Sequence, residues 1–273
     1  MRIALLTLEG LAAASAVRRL VLSSPGRFAL VALSDPFRAS VGGSAGQTWR
    51  RLQQSGPRLL PYLALNFTVP RLSGALHRLS AWPHPPERTP LADTCGRLGV
   101  PVTTVDDVNA PAFRDRLRED GIDLLLSFHF DQILKAPVLE AVPLGGINVH
   151  CGLLSRQRGP TPTIHALLEE EPEWGVTVHA LTPRVDAGAV LAEARPTLPR
   201  GVSALTAARL LHEAALPLVE QVLAGRTAPV RSEAPEAGAY NSFPTPAQLR
   251  EIARRGRRLV DGADLRAAWR TPM

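Results

Sequence analysis

Lysine is almost missing from this sequence: Lys135 stands alone beside thirty arginines. The formal charge of +6 belongs to a chain rich in Arg, Ala, Leu, Gly and Pro. Its basic residues are scattered rather than interleaved with aromatics on one element, so no nucleic-acid partner is expected. Cysteine is equally scarce. Cys95 and Cys151 are the two present, without a CxxC or a Cys/His cluster, which argues against a disulfide framework and a zinc site. No metal is expected, and a reducing cytoplasm fits. Long apolar runs are lacking too. The most apolar tract, Leu59 to Leu79, is broken by Pro61 and Pro70 and carries Arg71, His77 and Arg78, so it cannot be a plain spanning helix. The first residues enter a strand-like run without the basic and apolar regions of a secretory signal. A cytoplasmic location is expected.

What is present reads as an alternation of strands and helices. RIALLT (Arg2 to Thr7), FALVALSDP (Phe28 to Pro36), VPVTTV (Val100 to Val105), GIDLLLSFHF (Gly121 to Phe130) and GGINVH (Gly145 to His150) are short apolar runs. Helical segments such as LAAASAVRRLVL, LADTCGRLG, AFRDRLRED and ILKAPVLEAV separate them, and TIHALLEEE follows the last. That alternation predicts an α/β fold with a Rossmann-like, mostly parallel sheet and helices on both faces. WGVTVHALTP (Trp174 to Pro183) and AVLAEARPTL (Ala189 to Leu198) read as a hairpin joined through RVDAG. A long amphipathic helix then runs from a Ser203 cap to Gly225. The stretch 38–90 is too long for a loop and predicts a helical insertion after the second strand. Its mixture of Arg, Leu, Phe and Trp suits packing on the core, cover for a substrate, or contact with a membrane surface. The expected division is a catalytic unit over 1–225 and a short C-terminal extension over 226–273.

The stretch GGINVHCGLLSRQRGPTP, residues 145–162, carries the candidate chemistry. Asn148 and His150, two apart on a strand, face the same side. An amide can donate to an oxygen that gains negative charge, and an imidazole can move a proton there. Asp186, in the RVDAG turn, is the acid that could orient the imidazole. Together, Asn148-Val-His150, Leu153-Leu154, Arg158-Gly159, Pro162, Trp174-Gly175-Val176-Thr177 and Asp186-Ala-Gly188 resemble the folate-dependent formyltransferase family. That family reads N-x-H-x-S-L-L-P-x-x-R-G, then T-G-V-T, then D-x-G. The likeness runs from about Gly121 to Gly225 and more loosely back to Met1.

The resemblance implies transfer of a formyl group from 10-formyltetrahydrofolate, a cosubstrate, to an amine, with no metal. Asn148 would bind the formyl oxygen, His150 would stabilise the oxyanion or protonate the departing nitrogen, and Asp186 would order His150 and help deprotonate the amine. The pterin would lie along Asp131, Gln132, Ile133 and Leu134 and along Thr182, Pro183, Arg184 and Val185. Arg158 and Gly159 would contact the acceptor. Two positions depart from the family pattern: its Ser is Gly152 and its Pro is Ser155, which implies a loop that is looser or shaped for another acceptor. Cys151 reads as filler, and His129, His165 and His179 as packing or rim residues.

Among the family's acceptors, glycinamide ribonucleotide calls for a Gly/Ser-rich phosphate loop after the first strand, where this chain has TLEGLAAASA with Gly10 alone. Methionyl-tRNA is disfavoured because few strand-like runs follow Gly225. VHALTPRVDAGAVLAEA and AYNSFPTPAQL resemble the amino-sugar branch, including the formyltransferase half of an aminoarabinose lipid-A-modifying enzyme. The expected acceptor is therefore a nucleotide-linked or lipid-linked amino sugar. A homodimer and a peripheral position at the inner membrane face through 38–90 are compatible with it. A methionyl-tRNA formyltransferase-like enzyme, a 10-formyltetrahydrofolate hydrolase and a non-catalytic folate-binding protein stay open as alternatives.

Overall fold

The computed structural model describes residues 1–35, 43–79, 89–225, 228 and 238–273. The flanks of the expected insertion, 38–42 and 80–88, and most of 226–237 lie outside the described residues. The strands are β1 (Ile3–Leu8), β2 (Phe28–Ser34), β3 (Val102–Val105), β4 (Leu124–Phe128), β5 (Gly146–His150), β6 (Val176–Ala180) and β7 (Val190–Ala194). They form one sheet in the order β3-β2-β1-β4-β5-β6-β7. Pairing is parallel from β3 through β5 and antiparallel at β5–β6 and β6–β7. The mostly parallel sheet and its terminal hairpin are as the sequence predicts.

Alternation along the strands explains the layers. Ile3 and Leu5 of β1, with Leu124, Leu126 and Phe128 of β4, enter one core, while Ala4, Leu6 and Leu125 enter the other. Successive side chains leave a strand on opposite faces, and a strand buried on both must be apolar throughout. Helix α1 (Leu11–Ser23) covers the first face. Helices α2 (Gly43–Ser55), α3 (Leu60–Leu63) and α4 (Val69–Leu79) belong to the insertion, and α5 (Leu91–Leu98) follows it. The second face is covered by α6 (Pro111–Glu119) and α7 (Ala136–Leu139). After α8 (Pro162–Ala166), the long α9 (Ala204–Ala224) lies beside α1. Its cap is the expected one: Thr206 N donates to Ser203 Oγ at 3.0 Å.

Two expected helices are much shorter than their sequence pattern. ILKAPVLEAV yields only α7, because the chain turns through Gly145, at φ 71°, to enter β5. TIHALLEEE yields only α8, after which the Glu169 carboxylate accepts from Gln157 Nε2 at 2.7 Å instead of extending a helical face.

The insertion and the extension share a core of their own. Leu59 and Tyr62 meet Leu249 and Ile252 of α10 (Pro246–Arg254), Ala268 of α11 (Gly262–Arg270) and Met273. The approach is close enough that a Cβ on Gly74 would lie 1.9 Å from Met273 O, and Met273 N donates to Pro70 O at 3.0 Å. Leu72, Leu76 and Leu79 of α4 and Leu265 and Trp269 of α11 remain exposed. Among the described residues no helix is long and apolar enough to cross a membrane.

Candidate active site

The carboxyl ends of β4 and β5 open into a cavity of about 370 Å³, the place where ligands enter open α/β sheets. Asn148, His150 and Asp186 all line it, so the structure brings together residues separated by up to 38 positions. Asn148 and His150 come side by side because both point from the same face of β5. Asp186 arrives from the turn after β6 in a left-handed conformation, φ 49°, one that Asp tolerates better than most residues. Two glycines make that turn possible. A Cβ on Gly188 would sit 1.8 Å from Ala180 O, so the turn packs flush against β6. Gly159, at φ 117°, donates its N–H to Asp186 Oδ2 at 2.9 Å, and a Cβ there would strike Asn241 O at 1.9 Å.

Hydrogen-bond partners assign the protons. His150 Nε2 faces the Gln157 carbonyl at 2.8 Å. A carbonyl only accepts, so Nε2 carries the hydrogen and Nδ1 is the basic atom. Nδ1 looks at Asp186 Oδ2 from 3.7 Å. Burial lowers the pKa of His150, and the Asp186 carboxylate opposes that shift without cancelling it. For Asp186 burial acts upward, but the facing His150 and His179 rings and the Gly159 amide outweigh it and hold the pKa at about 2. At neutral pH the pair is a carboxylate beside a neutral imidazole whose lone pair faces it, an arrangement that welcomes a proton on Nδ1.

His179 is the residue that sequence reasoning misjudged. Expected at the rim or in packing, it stands opposite Asn148 in the β5–β6 register and lines the cavity. Its Nδ1 donates to Ala180 O at 2.8 Å, which leaves Nε2 to accept from Asn148 Nδ2 at 3.0 Å. Asp186 Oδ1 lies 3.6 Å from the same nitrogen. This bond fixes which end of the Asn148 amide is NH₂ and leaves its second N–H for the cavity. His129 also lines the cavity, in edge contact with His212 at 5.3 Å. His165 instead donates to Ser242 O at 2.8 Å and ties down the extension.

The expected pterin-facing segments divide. Asp131, Gln132, Ile133, Leu134, Thr182, Arg184 and Val185 line the cavity, whereas Pro183 does not. Loop 131–134 is held rigid from below. Ser34 Oγ donates to Asp131 Oδ1 at 2.5 Å, and Gln132 Nε2 donates to Ser34 Oγ and Val105 O at 3.0 and 2.9 Å. Asn109 Nδ2 donates to Ile133 O at 2.9 Å. The Gln132 side chain therefore clamps the loop and leaves its backbone to face the cavity.

Arg158 departs from the expected acceptor contact. Its guanidinium is buried behind the wall and donates to Gly238 O at 2.7 Å and Val185 O at 2.6 Å, tying the extension to the Asp186 turn. Gly159 does line the cavity. The loop after His150 is drawn tight, not loosened. A Cβ on Gly152 would lie 2.7 Å from Pro162 Cβ and 3.0 Å from His150 Nε2, so the missing side chain is what lets these groups close in. Cys151 is buried, which raises its pKa and keeps it a thiol.

Residues 97–222 match the family described as formyl transferase. The match spans 126 residues, just under half of the chain. It contains β3 to β7, among them β5 and β6, which supply the cavity-lining strand side chains named above, together with the Asp186 turn. Over 82–89% of its length the chain shares its fold with solved formyltransferases. A sugar N-formyltransferase from Shewanella sp. FDAARGOS_354 is 17% identical over 89% of this chain and 77% of that one, with a TM-score of 0.53. Glycinamide ribonucleotide transformylase 1 from Symbiobacterium toebii is 18% identical over 82% and 85%, with a TM-score of 0.54. WlaRD, a sugar 3N-formyl transferase crystallised in the presence of dTDP and 5-N-formyl-THF, is 13% identical over 89% and 70%, with a TM-score of 0.50. Solved proteins of this fold are thus named for more than one acceptor, and acceptor choice in this chain must be argued from the cavity itself.

Proposed function

We propose that this formyltransferase moves a formyl group from 10-formyltetrahydrofolate to the primary amine of a nucleotide-linked or lipid-linked amino sugar. The observation that carries the reaction is the pairing of Asn148 with a neutral His150 whose basic nitrogen faces the Asp186 carboxylate. The free N–H of Asn148 donates to the formyl oxygen as it gains negative charge. The proton lost by the attacking amine passes to His150 Nδ1, where Asp186 stabilises it, and returns to the departing folate nitrogen as the old C–N bond breaks. The cavity suits the donor: Phe130, Leu134 and Leu181 give apolar walls for a flat ring beside the polar backbone of 131–134.

Support for the amino-sugar branch comes from the amino end of α1. Glycinamide ribonucleotide is the acceptor that calls for a phosphate loop after the first strand, with open backbone N–H groups at this helix end. Instead the side chain of Asn66, from the insertion, accepts from Ala12 N at 2.9 Å. A Cβ on Gly10 would lie 2.8 Å from Phe67 and 2.9 Å from His129. The insertion has filled the position with its own side chains.

The test is release of tetrahydrofolate from 10-formyltetrahydrofolate, with and without a panel of nucleotide-linked amino sugars, with His150→Ala as control. Release that requires one sugar and His150 is the expected result. Release without any amine would replace transfer by hydrolysis, and release driven by glycinamide ribonucleotide alone would overturn the acceptor assignment.

A further inference from the structure

One wall of the cavity belongs to neither the strands nor the Asp186 turn. It is formed by Arg51 and Tyr62 of the insertion and by Tyr240 and Phe243 of the extension. Arg51 and Arg184 are the two arginines that line the cavity, and burial keeps the lining His129, His150 and His212 below their ordinary pKa and hence neutral at pH 7. Arg51 Cζ lies 3.4 Å above the centre of the Phe243 ring. A guanidinium laid flat on a ring keeps its N–H groups in its own plane, aimed sideways, which suits a bidentate anion at its edge. Nη1 donates to Gln54 Oε1, one turn along α2, at 3.2 Å, and Arg51 makes no ion pair among the described residues. The sequence has no carboxylate between Asp35 and Glu87; the one whose charge reaches Arg51 is Asp131, which lines the same cavity and accepts from Ser34 Oγ at 2.5 Å.

Tyr240 links this wall to the reaction centre. Its backbone pairs with Arg158 in a parallel bridge, and Asn241 N donates to Arg158 O at 2.9 Å, immediately before the Gly159 that holds Asp186. Burial and the nearby Asp186 carboxylate raise the Tyr240 pKa, with Arg158 and Arg51 acting the other way. Its hydroxyl therefore feels both the reaction centre and Arg51, while its ring stays half exposed at the mouth.

We propose that Arg51, stacked on Phe243, is the anion-binding group of the acceptor site and holds a diphosphate ester, with Tyr240 packing against the sugar between that diphosphate and the amine presented to Asp186. This rests on the amine-transfer reading and adds the element that selects the substrate. The diphosphate could join the sugar to a nucleoside or to a lipid, and the chemistry at Arg51 is the same for both.

Binding is measured first, because it needs no turnover. Calorimetry on the full chain would use inorganic pyrophosphate, uridine and thymidine diphosphates, and farnesyl diphosphate. At least one diphosphate should bind the wild-type protein, and Arg51→Ala should weaken it about tenfold or more. Arg51→Lys, which keeps the charge and loses the planar stack, should fall between. Tighter binding of the nucleotides identifies a nucleoside source, and tighter binding of farnesyl diphosphate a lipid one. Diphosphates that bind wild type and Arg51→Ala equally, or none that binds wild type, would overturn the assignment. If Arg51→Ala does not fold, as judged by its melting transition, Arg51→Gln preserves the stem over Phe243 and carries the same comparison.

With an acceptor in hand, Arg51→Ala should raise its KM about tenfold or more, change kcat only a few-fold and leave the KM for 10-formyltetrahydrofolate unchanged. Diphosphate binding that depends on Arg51 without formylation of any sugar would count against the proposed function alone. Formylation that is indifferent to Arg51 would count against this inference alone.

Discussion

The two walls of the cavity are made of opposite materials. The strand wall presents Asn148, His150, His179 and Asp186, each engaged by another protein group, with a single carboxylate among them. The helical wall presents Arg51, Tyr62, Tyr240 and Phe243 and belongs to segments 43–79 and 238–273, which together carry twelve arginines against three carboxylates. A reaction centre needs fixed dipoles and a tuned proton site, whereas a surface that selects an anionic substrate needs positive charge and flat apolar area. The first is built on the sheet and the Asp186 turn, and the second on the insertion and the extension.

The largest expected effect breaks the strand wall alone. Asp186→Asn keeps a side chain that tolerates the left-handed backbone but removes the charge that receives a proton on His150. Formyl transfer should fall by about 10²–10⁴-fold, with the melting temperature and folate binding near wild type. A loss smaller than tenfold would mean that Asp186 only shapes the turn. The acid limb of the wild-type rate profile should lie below the ordinary histidine range, because burial lowers the His150 pKa and the neutral ring is the active form.

Next comes the amide. Asn148→Ala should cost about 10²–10³-fold in kcat, the scale of a single oxyanion donor. His179→Ala should cost less, since it acts through Asn148. The double variant should be little worse than Asn148→Ala, because one interaction cannot be lost twice. Fully multiplicative losses would show that His179 has a separate role.

These residues differ in how far the sequence discloses them. β1 is legible because an uninterrupted apolar run is what a strand buried on both faces requires, and Asn148 with His150 because a two-residue spacing fixes a shared face. His179 is hidden: it reaches Asn148 only through the antiparallel register of β6, which no local pattern states. A partial signal exists, since it alternates with Val178 on an expected strand, but the strand's neighbour is not stated by the sequence. Asn66, Arg51 and Tyr240 are less legible still, because their contacts depend on how the insertion folds against the extension. Arg158 shows the reverse error, a motif residue whose charge suggested a ligand and whose hydrogen bonds go to two backbone carbonyls.

The seam between the walls can be tested by stability. Asn66→Ala removes the acceptor for Ala12 N in a buried setting and should lower the unfolding free energy by about 1–3 kcal/mol, measured by urea denaturation. If the insertion's role is to occupy the amino end of α1, the variant should also gain affinity for inorganic phosphate. An unchanged midpoint would show that the bond does not fasten the insertion to the sheet.

The smallest effect sharpens the claim that burial keeps the histidines His129, His150 and His212 uncharged. His212 lies under it, stacked on Phe128 at 5.4 Å and donating from Nδ1 to Ala208 O at 2.8 Å. Burial, with His129 nearby, holds its pKa at about 3, far below the unfolded value of about 6.5. The unfolded chain therefore binds a proton that the folded chain refuses. Linkage then makes stability decline as pH falls below about 6.5 and continue declining until pH approaches the folded pKa. Between pH 7 and 6 this one group should remove about 0.7 kcal/mol. His212→Phe keeps the stack and abolishes the titration, so its loss of stability over that interval should be smaller than the wild type's by that amount. Equal pH slopes in urea titrations would mean that His212 takes up its proton within the fold, and that the wall beneath the site is not kept uncharged.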